Sequence, residues 1–370
     1  MKVGLNATCL NDRPSGARQR FVGIYGQLFG LMPDVEFVIF EPADCGVARW
    51  FPPTSNVSAR RTPIPSEGRA SKFINGLGFW RTALARERLD IFEGFNLPFV
   101  TAAGAQNILT IHDLRGLTPG AGMVEKLMFS YVLKQALRVA NHVVTVSGAM
   151  KQALLAVDPR IDVAVVYNGM TEASLAPVSV PELAAFQAKF GLGKHYLLAV
   201  GHIEARKNYP RLVDALAHLH RRGLTPSLVI IGNDSGDTVH VEQRIQAAGL
   251  QGQVRLLSGL TDLEVRCAYA GCSLFVFPSC YEGFGIPILE AMAAGRPMVL
   301  SDIDVFREIT QQQGVYFSPM DVDGMAAAME NVLVSSTEQA RIVAYGANRI
   351  GDFSYLSLAQ QVKALYQSFN

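Results

Sequence analysis

The chain is short of net charge. Its 33 lysines and arginines meet 32 aspartates and glutamates over 370 residues, which leaves +1. A general nucleic-acid binder needs a basic field to release counterions, so no nucleic-acid partner is expected. Long apolar runs are also missing. Segments such as Ser227–Gly232 and Leu274–Pro278 have strand length, well below the roughly 18–20 residues that span a bilayer. No apolar leader follows Met1-Lys2-Val3, which runs directly into a strand-like segment. Export is therefore not expected. Cysteine is sparse, at positions 9, 45, 267, 272 and 280. An odd count in a long chain speaks against a disulfide scaffold, and the spacing of Cys267, Cys272 and Cys280 matches no common zinc site. Buried or incidental thiols are the expectation.

What is present is apolar mass: 49% hydrophobic against 18% charged residues. Disorder is excluded, and the length suits two domains, each with its own core. Short apolar runs alternate with helical stretches along the whole chain. The first half predicts strands at 2–7, 36–41, 91–94, 106–112, 142–147 and 162–167, with helices at 18–31, 71–88, 123–140 and 148–156. The second half predicts strands at 196–200, 228–232, 254–256, 274–278, 297–300 and 315–317, with helices starting near 209, 238, 262, 286 and 304. Strand, helix, strand at this spacing implies parallel sheets with right-handed crossovers. The expected boundary is Thr171–Pro181, where Pro177 and Pro181 interrupt helix. Three helices close the chain, at 325–335, 338–349 and 355–369, and the last is expected to return to the first domain.

Charge is uneven between the halves. Residues 1–176 carry 18 basic and 14 acidic side chains, and the rest 15 and 18. Much of the basic excess lies in 60–88, with Arg60, Arg61, Arg69, Lys72, Arg81, Arg86 and Arg88 among Phe73, Ile74, Leu77, Phe79 and Trp80. Such a stretch suits an anionic membrane face or an anionic acceptor, and suits better a helix with an apolar core side and solvated charges.

Four segments can carry chemistry. At 277–297 a buried strand ends in a loop with Glu282, Gly283, Phe284 and Gly285, then a helix opens at Ile286 with an early proline and holds Glu290. Ligands of α/β sheets sit outside the carboxyl ends of strands, and helix starts hold anions. Two carboxylates there grip sugar or ribose hydroxyls, or are simply solvated. At 199–209, Gly201 precedes Arg206 and Lys207, a fork and a point charge suited to a diphosphate or to a plain surface turn. At 109–114 a strand ends in His112 and Asp113. At 13–20, Gly16 stands before a helix, again facing phosphate by position, although the pattern is not G-x-G-x-x-G.

These segments, in this order, with VVTVSGAMKQAL at 143–154 and YNGM at 167–170, resemble the retaining glycosyltransferases of family 4, also called glycosyl transferases group 1. FEGFNLPFV at 92–100 and TIHDLRGLTP at 110–119 point within it to bacterial mannosyl- and rhamnosyltransferases of polysaccharide assembly. The resemblance implies an α/β chain of GT-B architecture. Two Rossmann-like domains, 1–176 on the acceptor side and 177–352 on the donor side, would face across a cleft, with 353–370 packing back on the first. Glu290 would hold the donor ribose and Glu282 the hydroxyls of the transferred sugar. The backbone of Gly283, Phe284, Gly285 and Ile286 would surround sugar and phosphate, and Arg206 and Lys207 would contact the diphosphate. His112 would lie against the sugar, and Gly16 and Gly201 would face the diphosphate. Asn233, Gly259 and Leu260 would contact the base. Gly148 departs from the family's usual acidic or bulky residue, and YNGMTEAS lacks its frequent Asp, both on the acceptor side.

The implied reaction moves a sugar from a nucleotide-diphosphate donor to a hydroxyl of a glycan or lipid-linked acceptor, with retention. A GDP-sugar is favoured, with UDP- or dTDP-sugars as alternatives. Fixed cations on the leaving diphosphate make a metal unnecessary. The expected place of work is the cytoplasm, at the inner face of the plasma membrane. Three rivals remain. A glycosidase would cleave simple glycosides. A sugar-nucleotide epimerase of the same fold would need no acceptor. A non-catalytic partner subunit would bind donor without turnover.

Overall fold

The computed structural model of the chain describes residues 1–13, 15–118, 122–193 and 195–369, without the side chains of 69, 70, 73, 77, 172 and 173. The readings placed on Arg69, Phe73 and Leu77, and on Pro119 of the 110–119 segment, lie outside the described residues and side chains. The chain forms two compact units. One comprises Met1–Gly169 with Ser354–Asn370, the other Met170–Phe353.

The first unit holds strands β1 (Lys2–Asn6), β2 (Glu36–Glu41), β3 (Val57–Arg61), β4 (Ile91–Gly94), β5 (Gln106–Ile111), β6 (His142–Thr145) and β7 (Val163–Val165). They make one parallel sheet in the order β3-β2-β1-β4-β5-β6-β7. Its helices are α1 (Gly16–Leu31), α2 (Arg69–Glu87), α3 (Met123–Val139) and α4 (Gly148–Val157). The second unit contains α5 (Glu172–Leu175), α6 (Val180–Phe190), β8 (Tyr196–Val200), α7 (Tyr209–Arg221), β9 (Ser227–Ile231), α8 (Thr238–Ala247) and β10 (Val254–Leu257). There follow α9 (Asp262–Gly271), β11 (Leu274–Phe277), α10 (Ile286–Ala293), β12 (Met298–Ser301), α11 (Asp304–Ile309), β13 (Val315–Phe317), α12 (Val322–Val334) and α13 (Ser336–Arg349). Its parallel sheet has the order β10-β9-β8-β11-β12-β13. The final helix, α14 (Tyr355–Gln367), belongs to the first unit.

The strands are apolar because both sheet faces are covered. Along β2, Phe37 and Ile39 enter one core with α1 and α14, while Val38 and Phe40 enter another with Trp80 and Leu84 of α2. Helix α14 seats Tyr355, Leu358, Ala359, Val362 and Tyr366 in the α1 core, so the last helix does return to the first unit. Tyr366 and Thr110 both donate to the buried Glu93 carboxylate.

Two expectations need correction. Strand β3 escaped the sequence reading because it is an edge strand. Its Ala59, Arg60 and Arg61 are exposed, and no apolar run marks it. Arg60 and Arg61 therefore sit on a strand rather than on the basic helix, and Arg60 pairs with Glu87 at 2.8 Å. Pro181 does not interrupt a helix but opens one. It occupies the first turn of α6, where a missing N–H costs nothing, behind a capping box of Ser179 and Glu182. Of the thiols, Cys45, Cys267 and Cys272 are buried and Cys280 is exposed, and none of the five forms a disulfide.

Candidate functional site

The sheet order of the second unit reverses between β8 and β11. Strands β9 and β10 extend to one side of β8, and β12 and β13 to the other side of β11. The carboxyl edge at such a reversal is where open parallel sheets hold ligands. The 201–208 loop carries Arg206 and Lys207, and the 278–285 loop carries Glu282. One backbone and one side-chain hydrogen bond join the loops: Cys280 N donates to Arg206 O at 2.8 Å, and Arg206 Nη1 donates to Tyr281 O at 3.0 Å. Asn208 clamps them further. It adopts a left-handed conformation at the start of α7, and its Nδ2 donates to Pro278 O at 3.0 Å and Pro319 O at 2.7 Å.

This folding assembles an ion cluster. Glu282 meets Lys207 Nζ through Oε1 and Arg206 Nη1 through Oε2, both at 2.7 Å. Arg206 Nη2 also pairs with Glu204. Lys207 and Glu282 side chains are only 6% and 11% exposed. Burial pushes the Glu282 carboxyl up, but Lys207 and Arg206 outweigh it and hold it below the usual glutamate range. Burial pushes the Lys207 ammonium down against the pull of Glu282. The Lys207 ammonium also lies 4.8 Å from the centre of the Phe277 ring. Arg206 Nε and Ser279 Oγ are buried with no hydrogen-bond partner among the described residues. Buried polar atoms are normally satisfied, by protein, water or ligand.

Gly201 makes room for the cluster. Its φ is 143°, and a Cβ there would lie 2.6 Å from Lys207 Nζ. Gly201→Ala is expected to displace the Lys207 ammonium and lower thermal stability. An alanine variant with an unchanged melting temperature would contradict this placement.

Glu290 lies one helix further on, in α10. Its Oε2 accepts the Tyr269 hydroxyl at 2.8 Å, and Oε1 carries no hydrogen bond among the described residues. Burial pushes its carboxyl above the usual range, against Tyr269 and the more distant Lys207. Gly285 caps α10 with φ 133°, and Pro287 stands in the first turn. The carboxyl edge also carries Asn233, whose carbonyl accepts from Ile203 N at 2.9 Å, and Gly259 and Leu260 just beyond β10. The structure thus brings Gly201, Arg206, Lys207 and Glu282 into contact and sets Glu290 beside them. Gly283, Phe284 and Ile286 lead into α10 on the same loop.

Gly16 and His112 belong to the first unit and are described with it. Gly16 is the first residue of α1, whose cap Ser15 accepts from Arg18 N at 3.2 Å. His112 follows β5. Burial, with Arg20 adding to it, pushes its imidazole down to about 3, so it is neutral at physiological pH. Arg20 is itself buried and donates to the carbonyls of Val166 and Tyr167. Sequence reasoning gave no role to Glu204, Asn208 or Tyr269. The first two stand inside the G-x-x-x-x-R-K-N segment and were legible as part of it, whereas nothing in the spacing marks Tyr269. Among the described residues no group of three or more His, Cys, Asp or Glu is placed to hold a metal ion.

The chain is similar to known proteins. Residues 34–173 match the family described as Glycosyltransferase Family 4, and residues 182–349 the one described as Glycosyl transferases group 1. The O-antigen chain mannosyltransferase RfbU of Salmonella typhimurium is 27% identical over 229 residues, 60% of this chain and 60% of its own. The phosphatidyl-myo-inositol mannosyltransferase of Mycobacterium leprae is 31% identical over 204 residues, 54% of this chain and 52% of its own. The chain thus spans about half to three-fifths of these curated relatives. The crystal structure of HepE from Anabaena, in complex with UDP-glucose, superposes with a TM-score of 0.76 at 19% identity, covering 100% of both chains. At that identity the likeness establishes the fold.

Proposed function

Because this chain belongs to the group 1 glycosyltransferases of family 4, we propose that it transfers mannose or rhamnose with retention. The donor is a nucleotide-diphosphate sugar, and the acceptor is a hydroxyl of a glycan or lipid-linked oligosaccharide of a bacterial surface polysaccharide. The observation that carries this reading is the buried Arg206–Lys207–Glu282 cluster beside the unpartnered Arg206 Nε. A GDP-sugar is the favoured donor. The work is done at the cytoplasmic membrane face, touched by the basic 60–88 stretch. No helix among the described residues is long and apolar enough to cross a membrane.

The cluster suggests how the donor is received. Glu282 bonds both cations, as a phosphate would. On donor binding, phosphate oxygens replace Glu282 on Lys207 and Arg206, and the freed carboxylate accepts hydroxyls of the sugar. Each buried cation then stays paired before and after, which avoids the large cost of a bare buried charge. Glu204 keeps its hold on Arg206 throughout. In the chemical step the bond from the anomeric carbon to the diphosphate oxygen breaks and a bond to the acceptor oxygen forms. The acceptor proton passes to the leaving phosphate. Lys207 and Arg206 face charge that grows on that oxygen, so they stabilise the transition state more than the bound donor. Neutral His112 serves the transferred sugar as a hydrogen-bonding group rather than as a charge.

A thermal-shift series against GDP-, UDP-, dTDP- and ADP-sugars, with and without EDTA, tests the reading. One donor is expected to raise the melting temperature whether or not EDTA is present, since ligands of the native state stabilise it. No response to any of the four would overturn the proposal.

A further inference from the structure

A carboxylate that grips a hydroxyl has to be held in one rotamer and has to be ionised, since only then do both oxygens act purely as acceptors. Glutamate is long and rich in rotamers, so ordering it costs entropy unless a neighbour does so in advance. At Glu290 that neighbour is Tyr269.

Tyr269 is 2% exposed, and its ring packs against Phe275 with centres 5.4 Å apart. A buried tyrosine hydroxyl needs a partner. Tyr196 and Tyr209, equally buried in the same unit, find theirs in the backbone: they donate to Ala268 O at 2.7 Å and to Gly201 O at 3.0 Å. Tyr269 instead donates to the Glu290 carboxylate, at Oε2. Both residues stand on helices. Tyr269 is on α9, whose start is fixed by a capping box of Thr261 and Glu264, and α9 packs on α10, which carries Glu290. Glu290 is half-buried, and its unbonded Oε1 is not sealed inside the protein. One oxygen is therefore committed to the fold and the other is open to a ligand. A functional side chain locked by a rigid partner is preorganised for binding.

We propose, resting on the assignment of Glu290 to the donor ribose, that Tyr269 is a positioning residue for donor binding: its hydroxyl locks Glu290 through Oε2 and leaves Oε1 for a ribose hydroxyl. Tyr269 acts through Glu290 and touches no substrate. The same bond favours the ionised carboxylate. Burial raises the Glu290 carboxyl, and the Tyr269 hydroxyl is the largest influence in the other direction. Lys207 adds to that pull, and Asp262 of α9 opposes it. Arg349 and Asp352, from segments that also pack on α10, pair with each other.

Tyr269→Phe keeps the ring against Phe275 and removes only the hydroxyl, so the variant is expected to fold. Titration calorimetry with GDP and with UDP over a pH series is the test. For the nucleotide that binds, the wild-type affinity falls as pH drops through the Glu290 midpoint. The variant is expected to lose about tenfold in affinity at that pH, the worth of a hydrogen bond to a charged group. Its own midpoint should lie at higher pH, and the loss should narrow well above both midpoints, where Glu290 is ionised in either protein. A tyrosine that only packs would give a loss independent of pH. In a Glu290→Ala background, Tyr269→Phe should change affinity by less than about twofold, because the two residues act as one unit. An unmoved midpoint, or an equal loss with and without Glu290, would overturn the proposal. If Glu290→Ala binds both nucleotides as tightly as the wild type, the ribose assignment itself fails and Tyr269 falls with it.

Discussion

Lys207→Met is expected to lower kcat by about a hundred- to a thousandfold, the usual loss when one fixed charge is removed from a developing anion. Its ammonium is held by Glu282 at 2.7 Å, over Phe277, in a site with almost no solvent. Little water is present to take its place. The variant also leaves Glu282 with Arg206 as its remaining ionic partner, so some loss of stability accompanies the loss of rate. Breaking a buried pair outright costs about 3–5 kcal/mol, and the surviving Arg206 contact keeps this case below that range. Glu282→Gln in the Lys207→Met background separates the two effects. It is expected to recover melting temperature without recovering rate. A Lys207→Met enzyme with near-normal kcat at saturating donor would remove Lys207 from the mechanism. Lys207→Arg is no conservative control, because the ammonium already occupies the space beside Gly201. The cluster also has a pH signature. Glu282 is held below its ordinary value, so its contribution to stability is present above the unfolded glutamate pKa and is lost as pH falls through the folded one.

Glu290→Gln is expected to weaken donor binding by about tenfold to a hundredfold, the worth of hydrogen bonds to a charged group. At saturating donor it should leave kcat nearly unchanged, which sets a ribose contact apart from a role in chemistry. Stability should move the other way. Burial raises the Glu290 carboxyl, so the native state binds its proton more tightly than the unfolded chain does. Stability from this group is therefore present at low pH and lost as pH rises through the raised folded value. Above that raised value the ionised Glu290 is a cost that glutamine does not carry, and there the variant is expected to melt at a higher temperature. Donor affinity of the wild type should in turn fall as pH drops through the same raised value, while the variant stays flat. Calorimetry showing equal donor affinity for Glu290→Gln and the wild type would sink the ribose assignment. The opposite directions at Glu282 and Glu290 make the two carboxylates separable in a pH series.

The central strands were legible as apolar runs because each is covered on both faces. Periodicity reports burial, and burial is what a parallel sheet imposes. Strand β3 was not legible for the same reason in reverse, since an edge strand with Arg60 and Arg61 on it carries no apolar signature. The start of α6 was misread because proline breaks a helix interior yet suits a first turn, and only the capping pair Ser179 and Glu182 tells the cases apart. The site motifs were visible as segments. That Glu282 sits on Arg206 and Lys207, or that Tyr269 holds Glu290, was not.

The sequence by itself determined the alternation of strands and helices, the two sheets, and which loops carry charge and glycine at strand ends. Those are local properties: side-chain period, turn chemistry and caps. Tertiary structure alone decided which of those charges meet. Glu282 and Lys207 are distant in the chain and pair only because β8 and β11 are neighbours at the point where the strand order reverses. Tertiary structure also decided which apolar residues of α3 face water. Met123, Val124, Leu127, Met128 and Tyr131 are exposed because the sheet buries only the stripe through Leu133, Ala136 and Leu137. Both follow from one physical fact: a side chain's partners are set by the packing of elements far apart in the chain, and local pattern does not encode that packing.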